Sequence, residues 1–128
     1  MHDRWLEELK RVEASYGTIE VGPELAWFII PRWTLITGWN KDQTALLLLR
    51  PPGYPVTPPD NFYVDPDLRL AGETKPGNAD LESQAGRSWL RFSYHVEQSD
   101  WSPHAEIDKG HNLLTFLQGV KRRLEELS

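Results

Sequence analysis

The chain has 128 residues, a net charge of -5 and no cysteine. That length suits one core, since single domains usually run to about 50–200 residues, and 39% apolar with 11% aromatic residues is enough to fill it without staples. The acidic balance argues against nucleic acid and anionic membranes, which recruit a basic face; the missing cysteine excludes disulfides, thiolate nucleophiles and cysteine-ligated zinc.

Residues 3–16 carry helical periodicity: Trp5, Leu9, Val12 and Tyr16 recur at steps of four, three and four, and Leu6 widens the stripe. Glu7, Glu8, Lys10, Arg11 and Glu13 are expected on the wet face, and Gly17 is the expected stop. Residues 18–21 alternate with a period of two and read as a strand, broken by Gly22-Pro23. The bulky run 25–30 reads as a second strand that Pro31 ends, and 33–36 as a further one. Turn chemistry at Gly38-Trp39-Asn40-Lys41-Asp42 precedes a buried strand over 44–49. These segments predict an antiparallel meander of about four strands.

Residues 51–59 hold five prolines, which remove five backbone donors and fix five φ angles. A rigid, extended crossover is expected here, with a short strand after it over 61–65. Residues 66–86 are polar and rich in glycine and proline, which predicts a long surface loop. An extended segment over 89–96 would place Ser88, Leu90, Phe92 and Tyr94 on one face, opposite Trp89, Arg91, Ser93 and His95. After a turn at Trp101-Ser102-Pro103, Leu113, Leu117, Val120, Leu124 and Leu127 recur at helical steps, with Asp108 as the candidate cap. Lys121, Arg122 and Arg123 fall at the end of that helix, where they complement its dipole as a solvated terminus. The fold class is α+β, a single domain over 1–128 with helices on one face of an antiparallel sheet. No apolar run is long enough for a bilayer, and the charged first ten residues lack a signal-peptide core, so a cytoplasmic address is expected.

The run from Leu47 through Arg50-Pro51-Pro52-Gly53-Tyr54-Pro55-Val56-Thr57-Pro58-Pro59 resembles a signature of the ubiquitin-conjugating (UBC) fold, in which a strand ends in a Tyr-Pro-x-x-Pro-Pro crossover. Trp101-Ser102-Pro103 resembles the Trp-Ser-Pro that precedes that fold's central helix. The closer resemblance is to the prokaryotic ubiquitin-conjugating-like family labelled E, carried by Gly53 to Pro66, Trp89 to His95 and Trp101 to Pro103. It implies a UBC-like order of N-terminal helix, meander, proline-rich crossover, long loop and C-terminal helix. It implies structural roles for Tyr54, Pro55, Pro58, Pro59, Trp101 and Pro103. Conjugating enzymes carry ubiquitin as a thioester on a cysteine, in many of them eight residues before the Trp-Ser-Pro tryptophan. That position is Ser93 here, and the His-Pro-Asn element that precedes the cysteine is absent.

The resemblance therefore implies a non-catalytic or atypical component of a bacterial ubiquitin-like modification system. Its implied partners are a ubiquitin-like protein, a ThiF-type activating enzyme or a JAB-type isopeptidase. The alternative is an acyl-transfer or hydrolytic enzyme using Ser93 with His95; a third reading is a scaffold that has left the pathway. On a strand, residues two apart share a face about 7 Å apart, so a Ser93–His95 hydrogen bond needs a bend. Asp100 and Asp108 are the candidates to orient the histidine. His95, His104, Asp108 and His111 are the candidate metal ligands, but the seven-residue step from His104 to His111 is not that of a zinc-binding helix, and no metal is expected. No glycine-rich phosphate loop occurs, and nothing calls for a cofactor. Trp33 and Trp39, beside the predicted turns, are the candidates for an exposed partner-binding aromatic.

Overall fold

The computed structural model describes residues 3–128. Helix α1 (Arg4–Tyr16) starts where the Asp3 carboxylate accepts the Trp5 backbone N–H at 3.0 Å. It stops at Gly17, whose φ of 90° suits a residue without a side chain and lets its N–H reach the Glu13 carbonyl. The expected stripe of Trp5, Leu9 and Val12 is buried. Glu8, expected on the wet face, is buried with it, at 1% exposure.

The surroundings of Glu8 explain that departure. One carboxylate oxygen accepts from Arg4 Nε at 2.7 Å. The other accepts from the Tyr54 hydroxyl and from the Leu113 backbone N–H, both at 2.6 Å. Leu113 is the first residue of helix α2 (Leu113–Glu125), so the charge sits at a helix N-terminus, where unpaired N–H groups and the dipole favour an anion. Three donors replace the water that the carboxylate lost. Burial first, and then Glu8 itself, push the Tyr54 hydroxyl well above its ordinary range, so it stays a neutral donor.

Six strands form one sheet: β1 (Glu20–Val21), β2 (Trp27–Thr34), β3 (Gln43–Leu49), β4 (Phe62–Val64), β5 (Ala79–Gln84) and β6 (Arg87–Phe92). Their order is β1-β2-β3-β4-β6-β5, and every neighbouring pair is antiparallel. The first three make up the predicted meander, with the segments expected over 25–30 and 33–36 joined in β2, and β4 is the short strand expected after the crossover. Pro31, however, does not end a strand. The pairing of β2 with β3 shifts register between Ile30 and Trp33, and this irregularity accommodates a residue with no N–H to give. The predicted loop over 66–86 also ends early, because residues 79–84 form the edge strand β5. Its hairpin to β6 turns at Ala85 and Gly86, both with positive φ. An edge strand keeps Asp80, Leu81 and Ser83 exposed, so its composition reads as a loop.

The proline-rich crossover is not extended. Residues 51–57 wind through turns, with Tyr54 N–H to the Pro51 carbonyl and Thr57 N–H to the Gly53 carbonyl. Helix α2 is capped by Asn112, not Asp108. The Asn112 side chain accepts the Thr115 N–H at 3.1 Å while the Thr115 hydroxyl accepts the Asn112 N–H at 2.9 Å. Asp108 lies exposed in a short 3₁₀ turn, Ile107–Lys109.

The main core fills the space between the helices and one sheet face. Phe28, Ile30, Leu46, Leu48, Phe62, Val64, Leu90 and Phe92 meet Trp5, Leu9, Val12, Leu117, Val120 and Leu124. Trp33 and Trp39 join it at 4% and 6% exposure, which corrects their expected place on the surface. Trp33 stacks on Tyr16 at 5.1 Å, and Trp39 donates its ring N–H to the Leu124 carbonyl at 2.9 Å, near the end of α2. A 128-residue chain has a small core, and large aromatics are drawn into it.

Replacing Glu8 with alanine leaves the Tyr54 hydroxyl, the Leu113 N–H and the Arg4 guanidinium without their acceptor. Urea unfolding of Glu8→Ala is expected to show a loss of about 3–5 kcal/mol, the range for breaking a buried charged pair. Glu8→Gln, which keeps one acceptor oxygen, loses less.

Candidate functional site: a cleft between the 94–101 segment and helix α2

The chain leaves β6 at Ser93, whose N–H donates to the Asn78 carbonyl at 2.8 Å. Tyr94 then turns inward, its ring edge-on to Phe62 at 5.7 Å and to Phe116 at 5.5 Å. Asn61 brackets its backbone from the end of the crossover. The Asn61 side-chain oxygen accepts the Tyr94 N–H at 3.1 Å, and the Asn61 N–H donates to the Tyr94 carbonyl at 2.7 Å. Asn61 has φ of 61°, a left-handed conformation that asparagine tolerates better than most residues. With Tyr94 held, Ser93 and His95 on either side of it remain exposed.

Two further bonds fasten the segment to the crossover. Gln98 donates to the Val56 carbonyl at 3.1 Å, and the Trp101 ring N–H to the Pro55 carbonyl at 2.7 Å. Pro58 and Pro59 are buried beneath, Pro103 is half-buried after the turn, and Tyr54 tilts against Trp101 at 6.3 Å. Trp101 in turn stacks on His111 at 5.4 Å.

Between this segment and α2 lies a cleft of about 300 Å³. Trp101, Tyr94, Phe116 and Gly119 supply its apolar lining, and His95, His111 and Arg122 its basic groups. Gly119 is required by close approach, because a Cβ there would overlap the Tyr94 hydroxyl. Burial raises the Tyr94 hydroxyl above its ordinary value, with Arg122 opposing. The two histidines are held in opposite senses. The His95 Nδ1–H donates to the Asp60 carboxylate, so in the neutral ring Nε2 is the acceptor. The His111 Nδ1 accepts the Ser102 backbone N–H at 2.8 Å, so its proton sits on Nε2 as a donor.

Ser93 does not line this cleft. No hydrogen bond joins its hydroxyl to His95 among the described residues; His95 faces Asp60 instead. Asp60 takes the orienting place for which Asp100 and Asp108 were the sequence candidates. It lies 35 residues away along the chain, a distance at which no local spacing carries a signal. Among the described residues no three metal-ligating side chains gather, and His104 turns its Nδ1 to the Glu106 N–H.

The family model for Prokaryotic E2 family E matches residues 2–127. The chain belongs to this family. No curated protein and no solved structure matches it. As a family E protein it combines an E2-like chain with the absence of cysteine.

Gly119→Ala tests the packing that shapes the cleft. In an open helix this change stabilises by about 1 kcal/mol. Here the overlap with Tyr94, wedged between Phe62 and Phe116, is expected to reverse the sign, with a net loss of about 1–2 kcal/mol by urea unfolding.

Proposed function

We propose that this family E chain serves a ubiquitin-like modification system as a thiol-less component that acts by binding. It engages a ubiquitin-like protein, or an enzyme that processes one, without carrying the modifier through sulfur. One observation carries this reading: an E2-like family match over nearly the whole chain, joined to a complete lack of cysteine. A hydroxyl at Ser93 is a far weaker nucleophile than a thiolate unless a base activates it. The ThiF-type activating enzyme and JAB-type isopeptidase are the partner classes that the resemblance adds. The crossover is the favoured contact surface, because it presents Val56 at 70% exposure on a backbone stiffened by prolines. A contact of about 800 Å² per partner is sufficient. No helix among the described residues is long and apolar enough to cross a membrane, and a cytoplasmic site of action is part of the proposal.

A second reading, acyl transfer on Ser93 with His95, is favoured by Asp60 at the histidine ring. It lacks the hydrogen bond between nucleophile and base that such chemistry uses. Incubation with an activating enzyme, ATP and the ubiquitin-like protein separates the two. Wild type and Ser93→Ala are expected to co-purify equally with the modifier and to form no covalent adduct. An adduct that resists thiols, yields to hydroxylamine and disappears in Ser93→Ala would establish the second reading.

A further inference from the structure

We propose that the open edge of β5 binds an extended segment of another protein as an added antiparallel strand, and that this segment alternates cationic and apolar residues. The two edges of the sheet differ. At one, β1 has two residues, too short a template for pairing. At the other, β5 runs six residues in unbroken register with β6. Its sequence, Ala79-Asp80-Leu81-Glu82-Ser83-Gln84, has no proline, lysine or bulge, the usual devices that blunt an edge.

The pairing fixes which backbone groups are free. Gln84 and Arg87 flank the turn at Ala85 and Gly86, so they exchange both of their hydrogen bonds. The Asn78 carbonyl accepts from Ser93, just past the end of β6. The even-numbered residues of this strand therefore bond towards β6. The N–H and C=O groups of Leu81 and Ser83 point outward, and no other backbone group meets them among the described residues. Leu81 is 65% exposed, and Ser83 is exposed beside it.

Side chains then set the chemistry of the partner. Leu81 shares the helix-side face with the core residue Leu90, its register partner. Asp80 and Glu82 lie on the opposite face. In an added strand the residue beside Leu81 is apolar and those beside Asp80 and Glu82 are cationic, because opposite charges pair favourably across strands. Each carboxylate already has a cation nearby. Arg91 lies 2.8 Å from Glu82, which also accepts from Tyr63 and Gln84, and Lys75 lies 3.0 Å from Asp80. Asp80 and Lys75 are both more than half exposed, so water screens that pair and a partner loses little by replacing it. The net charge of -5 favours a cationic partner at longer range. A second copy fits poorly: antiparallel self-pairing about Leu81 sets Asp80 against Glu82, and pairing about Glu82 sets that residue against itself. The crossover joins β3 to β4 inside the sheet order, so the β5 edge is a separate surface and does not depend on the contact proposed above.

Hydrogen exchange read by NMR on the ¹⁵N-labelled full chain, with the peptide acetyl-Lys-Val-Lys-Val-Lys-amide, tests this edge. Without peptide the Leu81 and Ser83 amides should exchange freely, and that of Glu82, bonded to β6, slowly. Peptide at about ten times its Kd should slow the first two about 10-fold. The same peptide methylated on both valine nitrogens cannot donate to the edge and should bind about 10-fold more weakly or not at all. Acetyl-Glu-Val-Glu-Val-Glu-amide should not bind. Leu81→Lys, at an exposed position, should keep the wild-type melting temperature and weaken the cationic peptide about 10-fold. Equal binding of the methylated or the acidic peptide overturns the proposal, as does a response that maps away from residues 79–84 or no response at all. Protection of Leu81 and Ser83 that grows with protein concentration alone overturns it too, because a second copy would then occupy the edge.

Discussion

A buried carboxylate constrains this fold more than any single apolar contact does. Glu8 holds its charge away from water only because Arg4, Tyr54 and the first N–H of α2 converge on it. Those donors belong to α1, to the crossover and to α2, so meeting one electrostatic demand sets the relative position of three elements. The consequence reaches the cleft. Tyr54 packs on Trp101, Trp101 bonds to Pro55 and stacks on His111, and His111 lines the cleft two residues before the helix begins. The proline-rich signature thus works through one phenol and one carbonyl, and its prolines hold both in place.

The second constraint is Tyr94. Asn61 holds its backbone, two phenylalanines hold its ring, and Gly119 leaves room for its hydroxyl. In conjugating enzymes a thiol is expected on this stretch; here Ser93 is exposed and outside the cleft, while the polar chemistry gathers at His95, Asp60 and His111. The packing beneath this stretch involves no thiol. The packing serves the fold, which explains how an E2-like chain can dispense with cysteine and still present the crossover and the 94–101 segment as a rigid surface.

Much of this architecture is legible in the residues. The periodicity of Trp5, Leu9 and Val12, that of Leu113, Leu117, Val120 and Leu124, and the alternating strands are local signals. The Tyr-Pro-x-x-Pro-Pro and Trp-Ser-Pro segments add the family. What local patterns cannot carry is long-range pairing. Glu8 looks like one more charge on a helical face because, Arg4 aside, its partners are 46 and 105 residues away. Asp60 is invisible for the same reason. Strand β5 is hidden because an edge strand beside a hairpin is built from polar residues, and β2 continues past Pro31 because an irregularity there relieves the missing donor. Trp33 and Trp39 mislead through their neighbours: turn residues surround them, but a small core claims large aromatics wherever they fall.

Amide NMR of the ¹⁵N-labelled full chain, titrated with a ubiquitin-like protein and followed by mass spectrometry, separates reversible binding from covalent transfer. Saturable shifts concentrated in residues 51–61 and 94–101 are expected, reversed on dilution, with the mass of the chain unchanged. A lasting mass increase equal to that of the modifier, or a spectrum that does not move at any concentration, would contradict the binding reading.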